Sequence, residues 1–271
     1  MICYFLICTF LSYIIPYKLA IFITRRIADV LYFTFYSKRR NIVFKNLRTV
    51  IKRDLSSREL YRLAIETYEN FAIFVYEFLI LPSIYKKNIL KFLVPVNIDR
   101  MQKPSFVLTA HLGNWEWGAS MSAELGFHPT VIALRHPQKS LTGYFTRRRM
   151  FAGMDVVYLG EDMKKVVNTL REGNVVATLG DRDYTGNYKV VRFMDRKIGI
   201  PHSIFEFAYR FKIPIIPAFC VKENNKYGVY FEEAIDPISK DDAINKWIGV
   251  LEKYVRRYPT QWYIFDNIWK E

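Results

Sequence analysis

The chain has 271 residues, enough for one α/β domain or two small ones with a proper core. Hydrophobic residues make up 51% and charged residues 24%, which excludes disordered and collagen-like classes. The formal net charge of +14 implies an anionic partner: nucleic acid, anionic lipid, or an acidic protein or cofactor. The three cysteines, Cys3, Cys8 and Cys220, offer neither a disulfide framework nor a metal spacing, and so point to a reducing compartment.

Residues 2–17 are almost wholly apolar, and apolar character resumes after Lys18 through Ile23. Sixteen helical residues span roughly 24 Å, short of a hydrocarbon core of ~30 Å, but counting on to Thr24 makes the stretch long enough, with Lys18 snorkelling. No basic segment precedes it and no small-residue cleavage site follows, which argues against a cleaved signal peptide. Basic residues follow: Arg25, Arg26, Lys38, Arg39, Arg40 and Lys45. By the positive-inside tendency they keep the rest of the chain cytoplasmic. Residues 1–24 are therefore expected to be a membrane anchor or an in-plane helix, with a buried core helix as the alternative. Residues 1–60 carry eleven Lys/Arg against three acids, a composition suited to an anionic membrane surface. Nucleic acid is the competing partner, but there is no zinc spacing, ribonucleoprotein motif or basic region leading into heptads.

Residues 25 to 92 read as a basic helical layer. Ser56 and Glu59 fit a capping box, with Ser56 as cap and Glu59 reaching back. Apolar residues then recur with helical spacing from Leu60 to Leu79, and Pro82 stops the helix. From residue 93 to 271 the pattern becomes strand–helix alternation. Strands are expected at 106–110, 130–134, 155–159, 175–179, 214–221 and 227–233. Helices are expected from about 115 to 125, near 143–151, and at 162–172, 203–211 and 240–257. This predicts an α/β domain with a mostly parallel mixed sheet flanked by helices, and an antiparallel edge where the last two strands adjoin. The α/β domain and the helical layer are expected to form one functional unit.

The strongest chemical signal is the run Thr109-Ala110-His111-Leu112-Gly113-Asn114-Trp115-Glu116. An apolar strand feeds a His, and a Gly-Asn turn opens a helix, where ligands of open α/β sheets bind. On a continuous helix, positions five apart diverge by about 140°. His111 and Glu116 can meet only if the His lies in the turn and the Glu in the first helical turn. The pair would then be a His general base whose tautomer a carboxylate fixes. The plain alternative is a strand-end His satisfied as an ordinary polar residue.

The run His111-Leu112-Gly113-Asn114-Trp115-Glu116 resembles the His-x4-Asp/Glu motif of glycerolipid-type acyltransferases. Its particular form resembles the bacterial lipid A late acyltransferases, the lauroyl and myristoyl transferases, and their mycobacterial phosphatidylinositol-mannoside relatives. The resemblance covers nearly the whole chain. Arg39-Arg40-Asn41 through Asn46-Leu47 resembles the family's basic helix after the anchor. Arg135-His136-Pro137 resembles its tyrosine-arginine-proline stretch, with Ala133-Leu134 in place of the usual valine-tyrosine. Arg147-Arg148-Arg149 with Gly153 resembles a block holding a functional arginine. Leu170 through Asp183 resembles a strand leading to an acidic turn, with Arg182 where glutamine or histidine is usual. Pro259 through Tyr263 resembles the C-terminal block, with Phe265-Asp266 where a His is frequent.

The resemblance implies a glycerol-3-phosphate-acyltransferase-like fold and O-acyl transfer from a thioester donor, either acyl carrier protein or CoA, with no other cofactor and no metal. His111 would deprotonate an acceptor hydroxyl and Glu116 would hold the imidazole. Arg149, with Arg147 second, or nearby backbone N–H groups would stabilise the oxyanion. Asn114, Asp181 and Asp183 would position substrate or the arginines; for the two Asp residues, capping of the turn at 184–186 is the plain alternative. Arg135, Lys139 and Arg148 would bind an anion, either substrate phosphate or a carrier protein. Cys220 and Trp117 read as core, and Trp115 as core or acyl-channel lining. The acceptor would be a phosphorylated glycolipid, most simply a lipid A precursor, on the cytoplasmic face of the bacterial inner membrane. Alternatives are another lysophospholipid or glycolipid acceptor, and a basic membrane-surface protein that has lost activity.

Overall fold

The computed structural model describes residues 6–7, 9–11, 14–34, 37–161, 163–224 and 226–270. Cys3, Cys8 and residues 1–5, 12 and 13 of the expected 1–24 helix lie outside them. Within them the helical path is interrupted by a bend at Ile15 and by Pro16, and a new helix, α1 (Tyr17–Thr34), starts there. The expected continuous helix through Thr24 is thus broken at residues 15–16. Among the described residues no helix is long and apolar enough to cross a membrane.

Helices α2 (Ser37–Val50) and α3 (Ser57–Leu79) complete the N-terminal layer with α1. Tyr32, Val43, Leu47, Leu60, Ala64 and Tyr68 form its core. Ser56 caps α3 by accepting from the Glu59 N–H at 3.2 Å. Glu59 does not reach back: its carboxylate pairs with Arg53, a charged partner that outbids the neutral N–H. The chain turns at Ile80, and Pro82 lies in the first turn of a short helix, α4 (Leu81–Lys86), where its missing N–H costs nothing.

The remainder supplies β1 (Leu93–Val96), β2 (Ser105–Thr109), α5 (Trp115–Glu124), β3 (Thr130–Ala133), α6 (Lys139–Phe151), β4 (Asp155–Tyr158), α7 (Met163–Arg171) and β5 (Val175–Leu179). A hairpin β6 (Tyr188–Phe193) and β7 (Arg196–Pro201) follows. Then come α8 (Ser203–Phe211), β8 (Ile215–Glu223), β9 (Lys226–Phe231), α9 (Lys240–Arg257) and β10 (Trp269–Lys270). The main sheet has the order β1-β9-β8-β2-β5-β3-β4, and every neighbouring pair is parallel except β8–β9. That pair is antiparallel as the adjacency of the two segments suggests, but it is not the edge, because β1 pairs outside β9. The hairpin and β10 form a separate antiparallel sheet that the hydropathy pattern did not disclose.

The central strands β2 and β8 bury both faces, as a mostly parallel sheet requires. In β2, Phe106 and Leu108 enter a core shared with Trp247, Leu251 and Phe205, while Val107 enters the opposite core with Trp117 and Met121. The two cores pin the register of β2 against β5, whose partners run from Ser105 opposite Val175 to Thr109 opposite Leu179. Two residues beyond those last partners stand His111 and Asp181.

Candidate active site

The carboxyl ends of adjacent parallel strands bring His111 and Asp181 together. Asp181 is fully buried and grips His111 twice: Oδ1 lies 2.7 Å from Nδ1, and Oδ2 accepts the His111 backbone N–H at 3.0 Å. The Trp262 indole donates to the same Oδ2 at 3.0 Å. Burial by itself would raise the Asp181 pKa, but the charge and hydrogen bond of His111, with Trp262 and Arg182, outweigh it and hold the carboxyl below its ordinary value. A carboxylate at Nδ1 keeps the proton there, which leaves the Nε2 lone pair outward as a base. Nε2 in turn lies 3.1 Å from the Tyr184 hydroxyl.

Glu116 is therefore not the group that holds the imidazole. It is buried in the first turn of α5 and binds Arg149: Nη2 to Oε1 at 2.6 Å, and Nε to Oε1 and Oε2 at 3.1 and 3.0 Å. Burial opposes the Arg149 charge, but Glu116 more than restores it, so the guanidinium pKa is raised. His111, Glu116 and Arg149 all line one cavity.

The turn between β2 and α5 is built without freedom. Gly113 has φ +66°, and a Cβ there would lie 2.0 Å from the Cys220 carbonyl oxygen. The four backbone N–H groups of the turn are spent: His111 on Asp181, Leu112 on Ala110, Gly113 on Gln261 and Asn114 on Cys220. They cannot serve an oxyanion. The Asn114 side chain is fully buried and equally committed: Oδ1 caps α5 by accepting from Trp117 N–H at 3.1 Å, and Nδ2 donates to Glu77 at 2.8 Å. Asn114 thus positions the turn rather than the substrate.

Glu77, unread in the sequence, is the hub behind that turn. Tyr17 donates to its Oε1 at 2.6 Å, and Tyr227 and Asn114 donate to Oε2 at 2.6 and 2.8 Å. Burial raises its pKa, and Lys222 and the three donors only partly offset this. A lone acid inside the apolar run Phe71–Leu81 was the signal for it.

The other expected residues scatter. Asp183 borders the cavity, but its carboxylate caps the next turn, accepting from Thr185 N–H at 2.9 Å, Gly186 N–H at 2.6 Å and the Thr185 hydroxyl at 2.8 Å. Arg135 is exposed and pairs with Glu161. Arg148 is buried and donates to the Leu79 carbonyl, the Thr9 hydroxyl and the Tyr144 hydroxyl. It fastens structure and is not exposed to an anion. Arg147 and Lys139 are exposed. Arg135, Lys139, Arg147, Arg148 and Arg149 thus do not form a single anion site. Among the described residues no group of three or more His, Cys, Asp or Glu side chains could hold a metal ion.

The C-terminal block closes the site. The Tyr263 N–H donates to the His111 carbonyl at 2.7 Å, and Asn46 bridges the Ile264 carbonyl and the Trp269 indole at 2.8 and 2.7 Å. Two of the segments that depart from the resembled pattern meet here, with Arg182 pairing with Asp266 at 2.8 Å.

His111, Glu116 and Arg149 line a cavity of about 730 Å³ whose other walls are mostly apolar side chains, among them Phe78, Val131, Phe145, Ala177 and Phe207. It suits a long hydrocarbon chain. Trp115 also lines it, edge-on to His111 with ring centroids 5.4 Å apart, while Trp117 is core. Cys220 is buried on the wall, and burial pushes its thiol pKa up, which disfavours a nucleophilic thiolate. A family model described as bacterial lipid A biosynthesis acyltransferase matches residues 2–271. No match is found among curated proteins.

Proposed function

Because this chain belongs to the bacterial lipid A biosynthesis acyltransferase family, and so to enzymes that transfer acyl groups to a glycolipid, we propose the following reaction. A fatty acyl chain moves from an acyl carrier protein thioester to a hydroxyl of a lipid A precursor, with His111 as general base. The observation that carries this reading is a His–Asp pair whose His111 lines an apolar cavity.

The acyl chain of the donor lies in the cavity, with its thioester carbonyl at the corner. His111 Nε2 takes the proton of the acceptor hydroxyl as that oxygen attacks the carbonyl carbon. Asp181 stabilises the imidazolium. Arg149, fixed by Glu116, balances the oxyanion charge. The C–S bond then breaks, and the thiolate recovers the proton from His111. This chemistry is complete with the thioester as co-substrate and calls on no metal or other cofactor.

The net charge and the exposed Arg147 and Lys139 support an acidic carrier protein as donor. Placement on the cytoplasmic face of the inner membrane rests on α1. Leu19, Phe22, Ile23, Ile27, Val30 and Phe33 fall on one side of it and are all exposed, while Ala20, Ala28 and Tyr32 are buried. A helix with its apolar row outward suits burial in the plane of the membrane interface. The helical layer and the α/β part act as one unit through the Glu77 and Asn46 contacts.

The test uses full-length protein in detergent with radiolabelled acyl carrier protein and CoA thioesters, and with lipid A precursor or lysophospholipid as acceptor. Transfer to the lipid A precursor from acyl carrier protein, lost in His111→Ala, is expected. Turnover indifferent to His111 would overturn the mechanism, and transfer only to another lipid or only from CoA would overturn the substrate assignment.

A further inference from the structure

The base nitrogen of this site already has a hydroxyl on it. With Asp181 on Nδ1, His111 can act only through Nε2, and a hydroxyl acceptor must lie within about 2.6–3.2 Å of it. The Tyr184 phenolic oxygen occupies that position at 3.1 Å. Its ring lies beside the imidazole, with centroids 5.9 Å apart, and Tyr184 lines the same cavity.

Tyr184 is held there. The Arg182 guanidinium sits 4.4 Å from the centre of its ring, and Asp266 fixes Arg182 at 2.8 Å. The Asp183 cap closes the turn on the other side. As a residue Tyr184 is still 48% exposed, so it is not a core residue that happens to touch the site. Nothing in the acyl transfer to glycolipid requires it.

We propose that Tyr184 is a built-in acyl acceptor, so that without glycolipid the enzyme acylates its own Tyr184 oxygen from an acyl thioester. This rests on the acyltransferase reading above. His111 Nε2 takes the phenolic proton, and Tyr184 Oη attacks the thioester carbonyl. The new bond is Oη–acyl and the bond lost is C–S. The proton passes from His111 to the departing thiolate, so the products are an O-acyl-tyrosine enzyme and a free thiol. Burial lifts the Tyr184 pKa to about 12, yet a phenol remains more acidic than the alkyl hydroxyl of a sugar or hydroxyacyl chain.

The experiment incubates the full chain in detergent with dodecanoyl acyl carrier protein or dodecanoyl-CoA, without glycolipid. After acid quench, intact mass and peptide mapping are read, and a parallel tube contains lipid A precursor. One dodecanoyl group per chain is expected, mapped to Tyr184, cleaved by hydroxylamine, and absent from His111→Ala and Tyr184→Phe. The Tyr184→Phe protein is checked for an unchanged melt. Unmodified mass from a preparation that acylates glycolipid would overturn the proposal and leave the main reading standing. An adduct that persists in Tyr184→Phe would overturn it too. Absence of both adduct and glycolipid product would overturn both readings.

Discussion

Asp181 and His111 are joined by two hydrogen bonds, one to the ring and one to the backbone, although they stand 70 residues apart. Asp181→Asn keeps the size but loses the anion that fixes the tautomer. We expect kcat to fall roughly a hundredfold or more, with little change in KM for the thioester. Steady-state kinetics decide this, and an Asn variant with normal kcat would remove Asp181 from the mechanism.

Two of the buried carboxyls, Asp181 and Glu77, have opposite pH signatures. The Asp181 pKa is depressed by folding, so its contribution to stability is full above the unfolded value of about 3.9 and is lost as pH falls through the lower folded one. The Glu77 pKa is raised, so its contribution is full below about 4.3 and declines as pH rises through the folded value. Glu77→Gln is expected to remove that decline, whereas Glu77→Ala leaves three donors unmatched and should cost about 2–4 kcal/mol. Urea unfolding across pH measures both. Parallel wild-type and Gln curves would show that folding does not raise the Glu77 pKa.

At Gly113 both conformation and space are closed, since φ is positive and any Cβ meets the Cys220 carbonyl at 2.0 Å. Gly113→Ala should destabilise by about 3 kcal/mol or more, or prevent soluble expression. Gly126, also at positive φ but with nothing within 4 Å of its built Cβ, should pay only the conformational cost of about 1–2 kcal/mol. Paired chemical melts compare them.

Ala177 lines the cavity wall from β5. Ala177→Leu should shift the preferred acyl chain to shorter lengths, and Phe145→Ala, which removes another lining side chain, to longer ones. A panel of even-numbered saturated thioesters reads the optimum. An unchanged optimum in both variants would mean that the chain lies elsewhere.

Phe22 and Val30 stand in the outward apolar row of α1. Replacing both with Ser should weaken binding to anionic vesicles by about tenfold or more without lowering the melting temperature. Vesicle co-sedimentation measures the first and calorimetry the second.

Much of the α/β layer was legible because its strands and helices carry clean apolar runs and turn signals. The hairpin at residues 188–201 was not, because alternate residues of β6 face solvent and blunt its apolar signal. The placing of His111 at a strand end was readable from the run into Gly113-Asn114. Its partner was not: spacing pointed to Glu116, whereas the answer depends on β2 lying beside β5, a fact of sheet order. Asp181 was read as a positioning residue, and the strand order makes it the group on the ring. Trp262 and Glu77 reach the site by tertiary packing alone, so the local pattern around them could not announce their role.

The Arg182–Asp266 pair bears on how such a chain can change over generations. Arg182 stands where the resembled pattern has glutamine or histidine, Phe265-Asp266 stand where a His is frequent, and Arg182 and Asp266 are each other's counter-charge. Replacing either one alone by a neutral residue strands a charge beside His111 and Tyr184, so the fitness effect of one change depends on the state of the other. The asymmetry of exposure sets the easier order: Asp266 is 65% exposed and tolerates solitude, whereas Arg182, at 17%, does not. A lineage leaving this arrangement would relinquish Arg182 first.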